Sequence, residues 1–199
     1  LPAALAPELA TLVGAAPQGD DWTYEVKFDG YRVLARVEHG QVRLLTRNGK
    51  DWTHRLAHVA REIATLKLAS GWLDGEIVVL DAGGASDFGA LQNAFEAGPE
   101  RIVYFVFDLP WADGHDLRAA RLEDRRAVLA GLLRDASGPV RYSPDFRSEP
   151  GAILRNACRL RLEGLIGKRL GSPYVSHRSP DWIKLKCTLR QEFVIGGYT

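Results

Sequence analysis

Methionine is missing altogether from this 199-residue chain, and cysteine nearly so, with only Cys158 and Cys187. A sequence without its own start residue is expected to be a piece of a longer protein. The two cysteines lie far apart and form no CxxC pair, which argues against a structural zinc site and suggests a reducing compartment, the cytoplasm. No apolar run approaches the roughly 18 residues that a membrane span needs, so no membrane partner is expected. An N-terminal signal pattern is also absent. With a net charge of only +1, no global basic field announces nucleic acid.

Lysine is scarce as well, six residues against 20 arginines. Four of the six, Lys27, Lys168, Lys184 and Lys186, fall in the motifs described below. Where arginine is the default cation, a lysine hints at a need for a compact amine. Basic charge is unevenly spread, and residues 155–190 carry nine Lys/Arg against two Asp/Glu. Such a stretch is the footprint of a polyanion-binding face. For Arg155, Arg159 and Arg161 a solvated helix face explains the charge equally well.

Period-2 alternation predicts strands at 22–28, 31–37 and 42–46, the last two joined by a turn at His39-Gly40. Further strands are expected at 72–80, 101–109, 165–169, 183–187 and 192–198. Helices are expected over 52–68, from the Ser86-Asp87 cap to about 96, over 121–135 and over 150–162. The helix over 121–135 reads as charged and amphipathic. This mixture implies an α+β fold of antiparallel sheets with helices on their outer sides.

Alternation puts Glu25, Lys27 and Asp29 on one strand face and Val26 and Phe28 on the other, ending at Gly30. That is either a ligand-facing polar edge or an exposed edge with self-compensating charge. Glu76 interrupts an apolar strand in Asp74-Gly75-Glu76, which costs free energy unless a ligand or a neighbouring salt bridge compensates it. Phe105 and Phe107 share a face as core or as a base-stacking platform. Lys184 and Lys186 share a strand face and repel each other, implying an anion in front of them unless both are fully solvated.

In order and spacing these segments resemble the covalent nucleotidyltransferase superfamily of ATP-dependent DNA ligases, RNA ligases and mRNA capping enzymes. The resemblance rests on Lys27-Phe28-Asp29-Gly30, Arg47-Asn48-Gly49, Asp74-Gly75-Glu76, Phe107-Asp108, Glu163-Gly164 and Lys184-Leu185-Lys186. Leu44-Leu45-Thr46-Arg47-Asn48-Gly49, Gly89-Ala90-Leu91-Gln92-Asn93, Ser172-Pro173-Tyr174 and Arg178-Ser179-Pro180-Asp181-Trp182 narrow it to the ligase module of the bacterial DNA ligase D family, which serves non-homologous end joining.

That resemblance implies an ATP-grasp-like adenylation domain over residues 1–190 and the start of a C-terminal OB domain at 191–199. It makes Lys27 the nucleophile that attacks the α-phosphate of ATP and becomes lysyl-AMP. Glu25 would hydrogen-bond adenine and Phe107 would stack on it. Arg32 and Glu76 would hold the ribose or its surroundings, and Arg47 a phosphate or the DNA end. Lys184 and Lys186 would neutralise the α-phosphate, and Asp29 and Glu163 would hold Mg²⁺ or Mn²⁺. Lys168, of opposite strand parity to Glu163, is given a lesser part.

Nicked or broken duplex DNA is the implied substrate, with polymerase and phosphoesterase modules and Ku as further partners in a bacterial nucleoid. The family's final motif belongs to the OB domain, so residues 1–199 alone are expected to react slowly with fresh ATP. A GTP-dependent capping-type guanylyltransferase, an RNA ligase and a non-catalytic nucleotide- or DNA-binding module remain the alternatives.

Overall fold

In the computed structural model of this chain, residues 1–187 are described apart from Ser137, Ser148 and the side chain of Pro150. The strand expected at 192–198 and the domain boundary expected after residue 190 lie outside the described residues.

Two sheets face each other. The first runs β1 (Leu9–Leu12), β11 (Arg178–Lys186), β10 (Gly164–Arg169), β2 (Trp22–Val26) and β9 (Asp145–Phe146). The second runs β4 (Gln41–Thr46), β3 (Tyr31–Glu38), β5 (Ser70–Val78), β6 (Val103–Ala112) and β7 (His115–Asp116), with β8 (Val140–Tyr142) also paired to β6. The expected antiparallel pairing holds except in two places, where β1 lies parallel to β11 and β8 parallel to β6. Parallel neighbours need a long crossover, and helix α3 (Leu122–Leu132) lies in the one between β6 and β8.

The expected 52–68 helix is a short 3-10 turn, Thr53–Leu56, followed by α1 (Ala57–Ala64). Helix α2 (Phe88–Ala94) starts at Asp87, whose Oδ1 accepts the Ala90 N–H at 2.8 Å. Ser86 has a different task and accepts the Asp29 N–H at 2.9 Å. Helix α4 (Pro150–Arg159) is capped by the Glu149 carboxylate, which accepts the Gly151 N–H at 2.8 Å. Arg155, Arg159 and Arg161 are all exposed, which favours the solvated-face reading.

The larger core lies beneath the second sheet. There Leu56, Val59 and Ile63, together with Leu129 and Leu133, pack on Val33, Leu73, Ile77 and Val106. Tyr24, Ala157, Leu165 and Leu185 form a smaller core under α4. Phe107, Tyr174 and Trp182 pack together across the seam between the sheets.

Two motif glycines are dictated by close backbone approach. A Cβ on Gly30 would stand 2.1 Å from the Ile77 carbonyl oxygen, and one on Gly164 only 1.9 Å from that of Leu185. Gly164 also sits at φ +150°. These contacts hold the turn after β2 and the start of β10 at one corner, where the Lys27 N–H donates to the Gly164 carbonyl at 3.0 Å.

Cys158 of α4 and Cys187, just past β11, form a disulfide with Cα atoms 5.2 Å apart. The β10–β11 hairpin returns the chain to α4, so residues distant in sequence meet, and their spacing carries no mark of a reducing compartment. Closing a 29-residue separation removes about 3–4 kcal/mol of unfolded-chain entropy. Cys158→Ser should therefore lower the melting temperature by roughly 10 °C when no reductant is present. Calorimetry with and without reductant checks this, and a wild-type melting temperature indifferent to reductant would refute it.

Candidate active site

A cleft of about 200 Å³ opens where the two sheets meet. Two wider hollows, of about 710 and 490 Å³, lie away from the motifs and gather fewer of the chemically reactive side chains. Seven of the ten residues singled out in sequence line the cleft: Glu25, Lys27, Arg32, Arg47, Glu76, Phe107 and Lys184. Asp29, Glu163 and Lys186 are not part of that lining and stand beside Lys27.

Strand register explains the gathering. Glu25 of β2 is paired with Ile166 of β10, which is paired in turn with Lys184 of β11. On the second sheet Arg32 of β3 faces Glu76 of β5, and Glu76 faces Phe105 of β6. The alternation read through residue 29 stops early, because β2 ends at Val26. From that end onward Val26, Lys27 and Phe28 all reach the cleft, whereas Asp29 does not.

Lys27 Nζ makes a short ion pair with Glu163 Oε2, and Lys186 Nζ lies 3.4 Å from Oε1 of the same carboxylate. The Asp29 carboxyl is pushed above its ordinary range, first by burial and then by the charge of Glu163. Two neighbouring carboxylates with this mutual cost fit a divalent cation, which would relieve it. Among the described residues no cluster of three or more His, Cys, Asp or Glu is gathered for a metal. Water or phosphate oxygens would have to complete the shell of such an ion. The Lys184 ammonium is shifted down by partial burial and then by Arg178, Lys186 and Lys27, the crowding of like charge expected of a phosphate-facing amine.

Behind the cleft Arg32 forms a two-pronged pair with Asp74, both contacts at 2.5 Å, and its guanidinium lies 4.4 Å from the Phe107 ring centre. The network closes through the N-terminal segment. Arg32 Nη2 donates to the Glu8 carbonyl at 3.3 Å, the Glu8 N–H donates to Tyr174 Oη at 3.3 Å, and that hydroxyl donates to Asp74 at 2.6 Å. Glu76 accepts the Gly30 N–H at 3.2 Å, and burial pushes its carboxyl up to about 7.

Lys168 needs correction. Parity counted from Glu163 does not apply, because β10 begins at Gly164. Lys168 is fully buried in the cleft wall, 2.6 Å from Glu25 and 4.2 Å from the Trp182 ring centre. Helix α3, expected to be charged and amphipathic, buries Arg125 and Arg126, which pair with Asp108 and Glu25. Their spacing from Leu122, Leu129 and Leu133 places them on the buried stripe of the helix, a signal present in the sequence. Asp74, buried Glu8, Tyr174 and Trp182 are the other groups not assigned to the site from sequence.

Residues 5–186 match the family model described as ATP dependent DNA ligase domain. The multifunctional non-homologous end joining protein LigD of Pseudomonas aeruginosa is 58% identical over 202 residues, covering 100% of this chain and 24% of that protein. The protein of the same description from Mycolicibacterium smegmatis is 36% identical over 200 residues, covering 99% and 26%. A solved structure described as mycobacterial DNA ligase D complexed with ATP and MES superposes with a TM-score of 0.78 at 33% identity, over 92% of this chain and 60% of that one. The chain thus spans about a quarter of the length of these LigD relatives.

Glu8 supplies a pH test. Burial pushes its carboxyl up from 4.5 to about 7, and its Oε1 is buried with no partner among the described residues. The folded state then binds the proton more tightly than the unfolded chain, so this residue's contribution favours folding below about pH 4.5 and declines as pH rises towards 7. Glu8→Gln cannot ionise. Its melting temperature relative to wild type should be higher at pH 8 than at pH 5, by an amount reflecting up to about 3 kcal/mol. An offset independent of pH in thermal melts would contradict this.

Proposed function

Since the chain belongs to the ATP-dependent DNA ligase domain family, we propose that it is an adenylation domain in which Lys27 takes AMP from ATP and hands it to DNA. One observation carries this reading. The only lysine that both lines the cleft and meets Glu163 is Lys27, among the described residues, and the remaining motif side chains surround the same space.

In the first step Lys27 gives its proton to solvent and acts as the neutral amine, while Glu163 stays a carboxylate beside it. The Nζ lone pair then forms a bond to the α-phosphorus while the bond to the bridging oxygen breaks, and pyrophosphate leaves with that electron pair. Lys184 and Lys186 offset charge on the α-phosphate, and the cleft holds the reacting atoms in line. Glu25 and Phe107 receive adenine, Arg32 and Glu76 border the ribose, and exposed Arg47 is placed for a phosphate or a DNA end. Asp29 and Glu163 would hold Mg²⁺ or Mn²⁺, which would supply charge neutralisation at the phosphate oxygens.

AMP would then pass to the 5′-phosphate of nicked or broken duplex DNA, and a 3′-hydroxyl would displace it as the strand is sealed. In the whole protein this serves end joining alongside an OB domain, polymerase and phosphoesterase modules and Ku, in the bacterial nucleoid.

Label transfer from α-³²P-ATP, with α-³²P-GTP in parallel, tests the reading. Label from ATP is expected on wild type and none on Lys27→Ala, with the variant's circular dichroism unchanged. Label from GTP instead would indicate a capping-type enzyme, and an adduct persisting on Lys27→Ala would remove Lys27 as nucleophile. Asp29→Asn should weaken Mn²⁺ binding by about tenfold, as loss of one charged ligand implies. Unchanged Mn²⁺ affinity by calorimetry would exclude Asp29 from the metal site.

A further inference from the structure

We propose that Arg126 of α3 is a positioning residue that makes the cleft select ATP over GTP, by occupying one oxygen of Glu25. This rests on the reading of the cleft as a nucleotide site, and it concerns a side chain that does not line that cleft.

Glu25 is 2% exposed and its carboxylate is almost fully engaged. Oε1 accepts from Arg126 Nη1 and lies equally close to Lys168 Nζ, both at 2.6 Å. Among the described residues Oε2 accepts only the Ser143 hydroxyl, at 3.2 Å. Each carboxylate oxygen has two lone-pair directions. Oε1 is therefore used up by two cations, and Oε2 keeps one acceptor direction for a ligand.

Arg126 is itself held from several sides. Nη1 also donates to the Phe107 carbonyl at 2.9 Å, and Nη2 donates to the Ser143 carbonyl, Tyr142 Oη and Asp145 Oδ1 at 2.7, 2.7 and 2.9 Å. Lys168 Nζ donates to the same Phe107 carbonyl at 3.2 Å. One pair of cations thus fixes both Glu25 and Phe107, the two residues placed against the base.

The consequence for recognition follows from the edges of the bases. Adenine offers a single exocyclic amine, which one acceptor satisfies. Guanine offers two adjacent donors, N1–H and the N2 amine, and a carboxylate with both oxygens free pairs with them side by side. A Glu25 left with one usable oxygen suits the first edge and not the second. Guanine O6 facing that oxygen would add acceptor-to-acceptor repulsion. Removing Arg126 returns a lone pair to Oε1 and lets the carboxylate turn, so discrimination should fall.

The test uses the whole chain, measuring equilibrium binding of ATP and GTP and single-turnover label transfer from each. For Arg126→Met, the concentration of ATP giving half-maximal rate should rise and the ATP-to-GTP preference should fall, each by about tenfold or more, the scale of one charge-assisted hydrogen bond. The maximal rate with ATP should change much less, because Lys27, Glu163, Lys184 and Lys186 are untouched.

A purely structural role would lower the melting temperature and the active fraction but leave the preference ratio unchanged, which overturns the proposal. Should Arg126→Met fail to fold, Arg126→Lys reads the same ratio, since it keeps a cation but lacks the fork that spans Glu25, Ser143 and Asp145. Wild type that binds ATP but transfers no label leaves the ratio measurable by binding. Wild type that binds neither nucleotide overturns the nucleotide reading of the cleft and this proposal with it.

Discussion

Arg126 grips Glu25 at 2.6 Å, Arg125 grips Asp108 at 2.8 Å and Arg32 grips Asp74 at 2.5 Å, and all three carboxylates are buried. Asp74 and Asp108 occupy facing positions on β5 and β6, where two like charges repel. Each is met by its own arginine, one from β3 and one from α3. Removing a charge from water costs several kcal/mol, and only a well-placed partner offsets it. Of the three, the Arg126–Glu25 pair reaches from α3, packed on the second sheet, to β2 of the first, and it limits how the two sheets can close on each other. An all-apolar seam could be as stable, but it would not fix which strand positions face the cleft.

The rim of the cleft obeys a different rule. The Lys27 and Glu163 side chains are 18% and 25% exposed, and Lys186 is 50% exposed. Ion pairs in contact with water contribute little to stability, so their partners can be exchanged at small cost. A phosphate arriving at Lys186 can replace its contact with Glu163 at small cost. The buried pairs behind it stay in place. Stiff backing and exchangeable rim together suit a site that must release an anion after each transfer.

Local patterns made much of this visible in the sequence. Most strands, the Asp87 cap and the Lys27, Arg47, Glu76 and Lys184 motifs follow from alternation, spacing and resemblance. The short strands β1, β7, β8 and β9 did not, because two to four residues carry no period and are fixed by the neighbour they join. Lys168 was misplaced because parity was counted across a strand boundary. Arg125 and Arg126 were not singled out, because the helix was read only as charged and amphipathic, although their positions fall on the apolar stripe. The disulfide depended on a hairpin bringing Cys187 back to Cys158, and nothing local records that.

The strand order of the two sheets also bears on how the chain assembles. Every strand of the second sheet lies within residues 31–142, whereas the first draws on residues 9–26, 145–146 and 164–186. On a ribosome the second sheet and its helices can close early, from contacts between neighbours in sequence. The first must wait until β11 has emerged to lie beside β1, about 170 residues upstream, and closing so long a loop is slow. The cleft between the sheets is thus the last part of this two-sheet fold to form. Lys27, synthesised well before them, acquires its surroundings only when β10 and β11 arrive, so a chain that stops short of them has no assembled cleft.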